Sequence, residues 1–178
     1  MVRITAGRFR GRRIAVPRGV RPTTELARKA VFDILGSAVG GARVLDACAG
    51  SGAYGLEAVS RGAVHATFVE KDARVGRVLS GNIQSLGVET SARVEVRSVA
   101  AYAALAGGGT SAPRFDLIFH DPPFEDAAFD DVAALLGLLA PGGTLVHERG
   151  DDLLSPDGAL APADRRRYGR TRLLFFRV

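Results

Sequence analysis

The sequence predicts an α/β fold: a mostly parallel seven-stranded sheet with helices on both faces, ending in a C-terminal antiparallel hairpin. Three observations predict it. Five apolar, strand-like runs alternate with helical patterns between residues 42 and 149, which is the signature of a parallel sheet covered on both faces. After a loop-like stretch at 151–164, "RRRYGRTRLLFF" reads as two further strands around Gly169-Arg170. At the other end, "VRITAGRFRGRRIAVP" alternates apolar and charged residues around Gly7 and Gly11, as a short β-hairpin extension ending at Pro17 would.

The elements follow in order. Thr24 is placed to cap a helix in which Leu26, Ala30, Val31, Ile34 and Leu35 recur at helical spacing until Gly36. "ARVLDA" is the first strand of the sheet, "GLEAVSRG" a short helix and "HATFVEKD" the second strand. "ARVGRVLSGNIQSLG" is a helix stopped by Gly87, and "ARVEVRS" is the third strand. "VAAYAAL" is a helix, "GGGTSAP" a loop and "FDLIFHD" the fourth strand. The spacing of "AFDDVAALLGLLA" predicts a helix over 128–140, stopped by Pro141-Gly142-Gly143, with "TLVHER" as the fifth strand. Two units are expected: a basic N-terminal hairpin over 1–20 and an α/β domain over 21–178.

Composition narrows the class. The 178 residues are 47% hydrophobic and 24% charged, which suits one soluble globular domain. No apolar run has the length of a membrane span, and Arg3, Arg8 and Arg10 interrupt the N-terminus where a signal peptide needs apolar residues. The single cysteine, Cys48, excludes an internal disulfide and points to a cytoplasmic setting. The three histidines and the cysteine are far apart in sequence, so no metal site is read. Residues 1–30 hold nine basic side chains, Arg28 among them, against Glu25, which points to a polyanionic partner and most directly to nucleic acid.

The chemistry gathers at strand ends. "RVLDACAGSGAYGLEA" sets a strand against a glycine-rich turn, and Gly50, Gly52 and Gly55 satisfy GxGxxG, with Glu70 twenty residues after Gly50. That pattern alone also fits a nicotinamide-dependent dehydrogenase. Asp46 tilts the reading: an acid just before the turn repels a pyrophosphate but suits a ligand carrying an ammonium and a sulfonium. Glu70 can accept hydrogen bonds from both hydroxyls of a ribose. The plainer readings are a helix N-cap or loop acid for Asp46 and a helix-capping acid for Glu70. Cys48 reads as a small residue in a tight loop.

The fourth strand ends in Asp121-Pro122-Pro123-Phe124. An exocyclic amine on a planar base is a poor nucleophile, because its lone pair is delocalised into the ring. The Asp121 carboxylate and the Pro122 carbonyl can accept its two hydrogens, and the prolines hold both acceptors in advance. Phe124 can stack on the base. Strand alternation turns His120 away from the side that Asp121 faces, so His120 is read as structural.

The order of "RITAGRFRGRRIAVP", "RPTT" with "RKAVFDIL", "LDACAGSGAYGLEAVSRGA", "FVEKD" and "DPPF" resembles the RsmD-type small-subunit ribosomal RNA guanine-N2 methyltransferases over nearly the whole chain. The resemblance implies a Rossmann-like fold, S-adenosylmethionine as donor, guanine N2 of 16S rRNA in the small subunit as acceptor, and a bacterial cytoplasmic enzyme. No metal and no obligate protein partner are implied, so a monomer is expected. Carried over, the resemblance assigns Asp46, Gly50, Ser51 and Gly52 to the methionine and ribose side of the cofactor. It assigns Glu70, with Lys71 beside it, to the ribose, and Ser98 with Val99 to the adenine end. Asp121, Pro122, Pro123 and Phe124 go to the target base. Arg21, Thr23 and Thr24 go to the junction of cofactor and RNA, and Arg8, Arg10, Arg12 and Arg13 to RNA phosphates. Ser98 is a departure, since an acid commonly stands there; so is Cys48, where an aromatic residue is common.

Three rivals remain at this point. An amine methyltransferase acting on adenine N6 or a protein glutamine shares the glycine loop and "DPPF". A nicotinamide-dependent dehydrogenase explains only GxGxxG and Glu70. A non-catalytic RNA-binding domain explains only the arginines.

Overall fold

The computed structural model describes residues 1–19, 24–107, 114–123, 130–150 and 160–178. In chain order the elements are β1 (Val2–Arg3), β2 (Arg13–Ile14), α1 (Glu25–Leu35), β3 (Arg43–Ala47), α2 (Ala53–Ser60), β4 (His65–Glu70) and α3 (Ala73–Leu86). Then follow β5 (Ala92–Val96), α4 (Val99–Gly107), β6 (Phe115–His120), α5 (Asp130–Leu136), β7 (Leu139–Gly150), β8 (Asp164–Tyr168) and β9 (Thr171–Arg177).

β1 and β2 form the expected antiparallel hairpin, with Val2 opposite Ile14. The other seven strands make one sheet in the order β5-β4-β3-β6-β7-β9-β8, parallel except where β9 pairs antiparallel with β7 and β8. Strand order reverses between β3 and β6, and such a switch point opens a crevice at the carboxyl ends of the strands.

Alternation along the strands divides the core. Val44, Phe68, Leu117, Phe119, Val146 and Phe175 face one layer, which also takes in Phe32 of α1, Leu56 of α2, Leu79 of α3, and Ile4 and Ile14 of the hairpin. Leu45, Val69, Ile118, Leu145, Leu174 and Phe176 face the opposite layer, with Tyr102 of α4 and Val132 and Leu135 of α5. Both faces are dry, which is why the strands read as near-continuous apolar runs.

Local signals place the helix ends. The Thr24 hydroxyl accepts from the Ala27 amide at 3.2 Å, a cap worth about 1 kcal/mol. Asp72 caps α3 through the Arg74 amide at 2.7 Å, and Gly87 ends it at φ 66°.

Two expectations are corrected. The α1 stripe that packs inward is Ala27, Arg28, Val31 and Phe32, whereas Leu26 is 63% exposed. The Phe32 ring turns to the core because Phe119 and Tyr54 offer ring partners at centroid distances of 5.4 and 6.2 Å. The helix predicted over 128–140 ends at Leu136. Leu139 already pairs with Phe115, and Pro141-Gly142-Gly143 lies inside β7, where the register to β6 shifts before Thr144 meets Leu117. Burial of Leu138 and Leu139 favours the early strand start.

Candidate active site at the carboxyl edge of the sheet

Each of β3, β4, β6 and β7 brings a carboxylate to its carboxyl end: Asp46, Glu70, Asp121 and Glu148. Asp46 stands level with Phe119, between β4 and β6 at the switch point. It is 2% exposed, and its Oδ2 accepts from the Gly55 amide at 2.8 Å. That bond serves the first turn of α2, whose N-cap, Gly52, has no side chain to offer. Asp46 is therefore a helix cap as well as an acid at the sheet edge.

The turn between β3 and α2 needs three left-handed residues: Cys48 at φ 64°, Gly50 at φ 55° and Gly52 at φ 80°. A side chain at position 52 would meet Leu79 Cδ1 at 2.5 Å. Glu70 braces this turn, its Oε2 accepting from the Gly50 amide at 3.0 Å and its Oε1 from the Asp72 amide at 2.9 Å. The buried Ser51 gives its carbonyl to Asn82 at 3.0 Å. Lys71 is exposed just past β4.

Two titrating groups report the local field. Burial pushes the Asp46 carboxyl well above the usual carboxylate range; the Gly55 amide opposes this, and the charges of Asp121 and Glu70 add to it. Burial also pushes the Cys48 thiol up to about 12, helped by Asp131, Glu70, Asp121 and Asp46. The thiol is thus protonated and inert. Carboxylates converging on a part-buried turn attract a cation and oppose a pyrophosphate. A ligand with an ammonium and a sulfonium fits this donor set, and the dehydrogenase reading does not.

Asp121 is half-buried directly after β6, followed by buried Pro122 and exposed Pro123. Phe124 lies outside the described residues, as do Arg21 and Thr23. His120, one residue earlier, faces α5: its Nε2 is 3.9 Å from Asp131 Oδ2 and its Nδ1 is 3.1 Å from Nδ1 of His147. Burial, with His147 next, lowers the His120 pKa to about 3. His120 is a neutral core residue, as strand alternation predicts. The histidines are not all dispersed, however, since His120 and His147 touch; still, no group of three or more metal-ligating side chains is present among the described residues.

At the adenine end, Ser98 is exposed and its hydroxyl accepts from the Ala101 amide at 3.2 Å, capping α4, while Val99 is buried beside it. Sequence reasoning missed Glu148. It is 4% exposed and accepts a 2.7 Å hydrogen bond from the Tyr54 hydroxyl, whose ring stacks on Phe119 at 4.9 Å. The available signal was its place in "TLVHERG", an acid at a strand's carboxyl end like the other three.

The basic N-terminus is not uniform. Arg8, Arg10, Arg12 and Arg13 are exposed, as expected for a phosphate-facing surface. Arg12 donates to the Ser85 carbonyl at 2.7 Å, and Arg8 lies 4.5 Å over the Phe9 ring. Arg28 leaves the patch altogether: it is fully buried, 3.5 Å from Glu57 and donating to the Arg3 carbonyl at 2.6 Å. Buried Glu57 also accepts from the amides of Thr5 and Ala6, at 2.8 and 3.0 Å, and from Arg61 at 2.8 Å. It fastens the hairpin to α2.

A family model described as "Conserved hypothetical protein 95" matches residues 2–177. The chain belongs to that family. It is 37% identical over 149 residues to "Ribosomal RNA small subunit methyltransferase D" of Escherichia coli strain K12, covering 83% of this chain and 71% of the relative. To the Haemophilus influenzae protein of the same name it is 34% identical over 163 residues, covering 88% and 83%. A solved Thermus thermophilus protein, described as hypothetical, superposes over 100% of both chains with a TM-score of 0.87 and 37% identity. The resemblance to RsmD-type methyltransferases is borne out, as is the mostly parallel sheet with its antiparallel C-terminal strands.

Proposed function

We propose that the protein transfers a methyl group from S-adenosylmethionine to the exocyclic N2 of a guanine in 16S ribosomal RNA of the small subunit. The observation that carries this reading is the pairing, across the switch point, of a carboxylate-ringed glycine turn with Asp121-Pro122-Pro123. The relatives named ribosomal RNA small subunit methyltransferase D support the RNA substrate. S-adenosylmethionine supplies a methyl group already activated on a positively charged sulfonium.

The chain's own residues bind and orient. Asp46 and the glycine turn face the charged methionine end, and Glu70 the ribose. Asp121 and the Pro122 carbonyl accept the two hydrogens of the amine, so that its lone pair points towards the methyl group. This is positioning rather than proton transfer, and the proton leaves after the methyl arrives. Phe124 follows in sequence and is assigned to stack on the base. Arg8, Arg10, Arg12 and Arg13 are assigned to RNA phosphates away from the reacting base, and Thr24 to the junction of cofactor and RNA. Guanine offers two amine hydrogens to Asp121 and Pro122, and the arginines favour RNA over a protein glutamine. The protein acts in the cytoplasm as a monomer; among the described residues no helix is long and apolar enough to cross a membrane.

Incubation with radiolabelled S-adenosylmethionine and either undermethylated small subunits or naked 16S rRNA tests the reading. Label in RNA is expected with at least one substrate; cofactor binding without label in either would remove the substrate assignment.

A further inference from the structure

The geometry points to the C-terminal hairpin, β8–β9, as a second surface for the RNA phosphate backbone, on the same sheet edge as Asp121. This rests on the RNA reading above. Charge along the chain is segregated: residues 164–178 carry six arginines against Asp164, while residues 31–163 carry nine basic side chains against seventeen acids.

Strand register decides where this charge sits. His120 pairs with His147, His147 with Leu174, and Leu174 with Arg165. One step further up, Glu148 lies opposite Leu173 and Leu173 opposite Arg166. Asp121 follows His120, so Arg166, Arg167 and the Gly169-Arg170 turn stand at or above its level. Three strand spacings separate β8 from β6, or about 14 Å. An RNA strand entering the site can span that distance within a few nucleotides.

The N-terminal hairpin tip lies elsewhere. Its Arg8 amide donates to the Ser60 carbonyl at 2.9 Å, at the C-terminal end of α2. That helix returns from the carboxyl edge to the amino edge of the sheet, so Arg8 and Arg10 lie towards the edge opposite Asp121.

Arginine on an edge strand also guards against strand addition, which either sign of charge would accomplish. The other edge strand, β5, shows that simpler case. Its Arg93, and Arg97 just past its end, both close on Glu95 at 2.6 and 2.9 Å, so each guanidinium there already has a carboxylate partner. On β8 the acid Asp164 pairs with the Arg166 guanidinium at 3.0 Å, while the side chains of Arg165 and Arg170 are exposed outside that pair. The turn is braced from within: Arg167 Nε donates to the Gly169 carbonyl at 3.1 Å, and half-buried Tyr168 packs on the core. A fixed, arginine-rich turn beside a nucleotide site matches phosphate by charge and by guanidinium geometry.

The test is RNA binding by the full chain as a function of salt, with cofactor binding as the check on folding. The triple variant Arg165→Ala, Arg166→Ala, Arg170→Ala is expected to bind RNA about tenfold more weakly near 0.1 M salt. Its plot of log K against log salt is expected to be shallower by about 2. The corresponding triple lysine variant should restore most of that slope, and Arg93→Ala with Arg97→Ala on β5 should leave it unchanged. A triple alanine variant with the wild-type slope, or an equal loss from the β5 pair, overturns the surface. Methyl transfer separates the two claims: a wild-type chain that binds RNA but transfers nothing faults the reaction, not the surface.

Discussion

Asp46 and Cys48 stand two residues apart, and burial, then the charges of Glu70 and Asp121, raise the pKa of both. On the proposed reading, a sulfonium and an ammonium bound beside Asp46 draw its raised pKa down and favour its ionised form. Asp121 is proposed to act on the acceptor side. Asp121→Ala is expected to lower transfer roughly 100- to 1,000-fold, the range for losing one preorganised partner of a reacting group, with cofactor affinity little changed. Transfer surviving in that variant would show that the carboxylate does not orient the amine. The neighbouring histidines govern stability instead. Their pKa values fall from the ordinary 6.5 to about 3 for His120 and about 4 for His147, both chiefly through burial. Between those values the unfolded chain binds protons that the folded chain refuses. Their contribution to stability is therefore whole above pH ~6.5 and is lost as pH falls towards 4, at up to about 1.4 kcal/mol per pH unit for each imidazole. Urea unfolding should show the wild type losing stability faster between pH 6.5 and 4.5 than His120→Leu with His147→Leu. Parallel pH profiles would mean that the pair titrates alike in both states.

At the scale of elements, the N-terminal hairpin is held less by its two short strands than by Glu57 on α2. Replacing Glu57 by Ala leaves Arg28 buried without its carboxylate and removes the acceptor of the Thr5 and Ala6 amides. A loss of about 3–5 kcal/mol is expected in denaturant unfolding; a change under 1 kcal/mol would show that the hairpin docks by apolar contact alone. The sequence did not reveal this tether, because burial of a charge depends on contacts some fifty residues away, such as Thr5 with Glu57. The start of α1 and the end of α3 were legible because Thr24 and Gly87 carry local cap chemistry, whereas the strand read through Asp72 ends at Glu70 because Asp72 turns to cap α3. The end of α5 was not, since Pro141-Gly142-Gly143 reads equally as a helix stop or as an irregularity inside a strand, and burial of Leu139 chose the latter.

Across the whole molecule, the sheet gathers acids at one edge while the two hairpins carry half of the arginines. Three of the four strand-end carboxylates could be read from motifs: Asp46 and Glu70 from the glycine loop, and Asp121 from the paired prolines. Glu148 carries no motif, only its place at a strand end, and its partner Tyr54 lies ninety-four residues away, where only the fold joins them. The acid edge explains why this glycine turn suits a cationic methyl donor rather than a dinucleotide, and on the proposed reading the stiff Asp121-Pro122-Pro123 segment suits a flat amine as acceptor. The most direct test is the identity of the methylated nucleoside after reaction of the wild-type chain with S-adenosylmethionine and undermethylated small-subunit RNA. Digestion and mass spectrometry should show N2-methylguanosine; label recovered as N6-methyladenosine, or only in protein, would contradict the account.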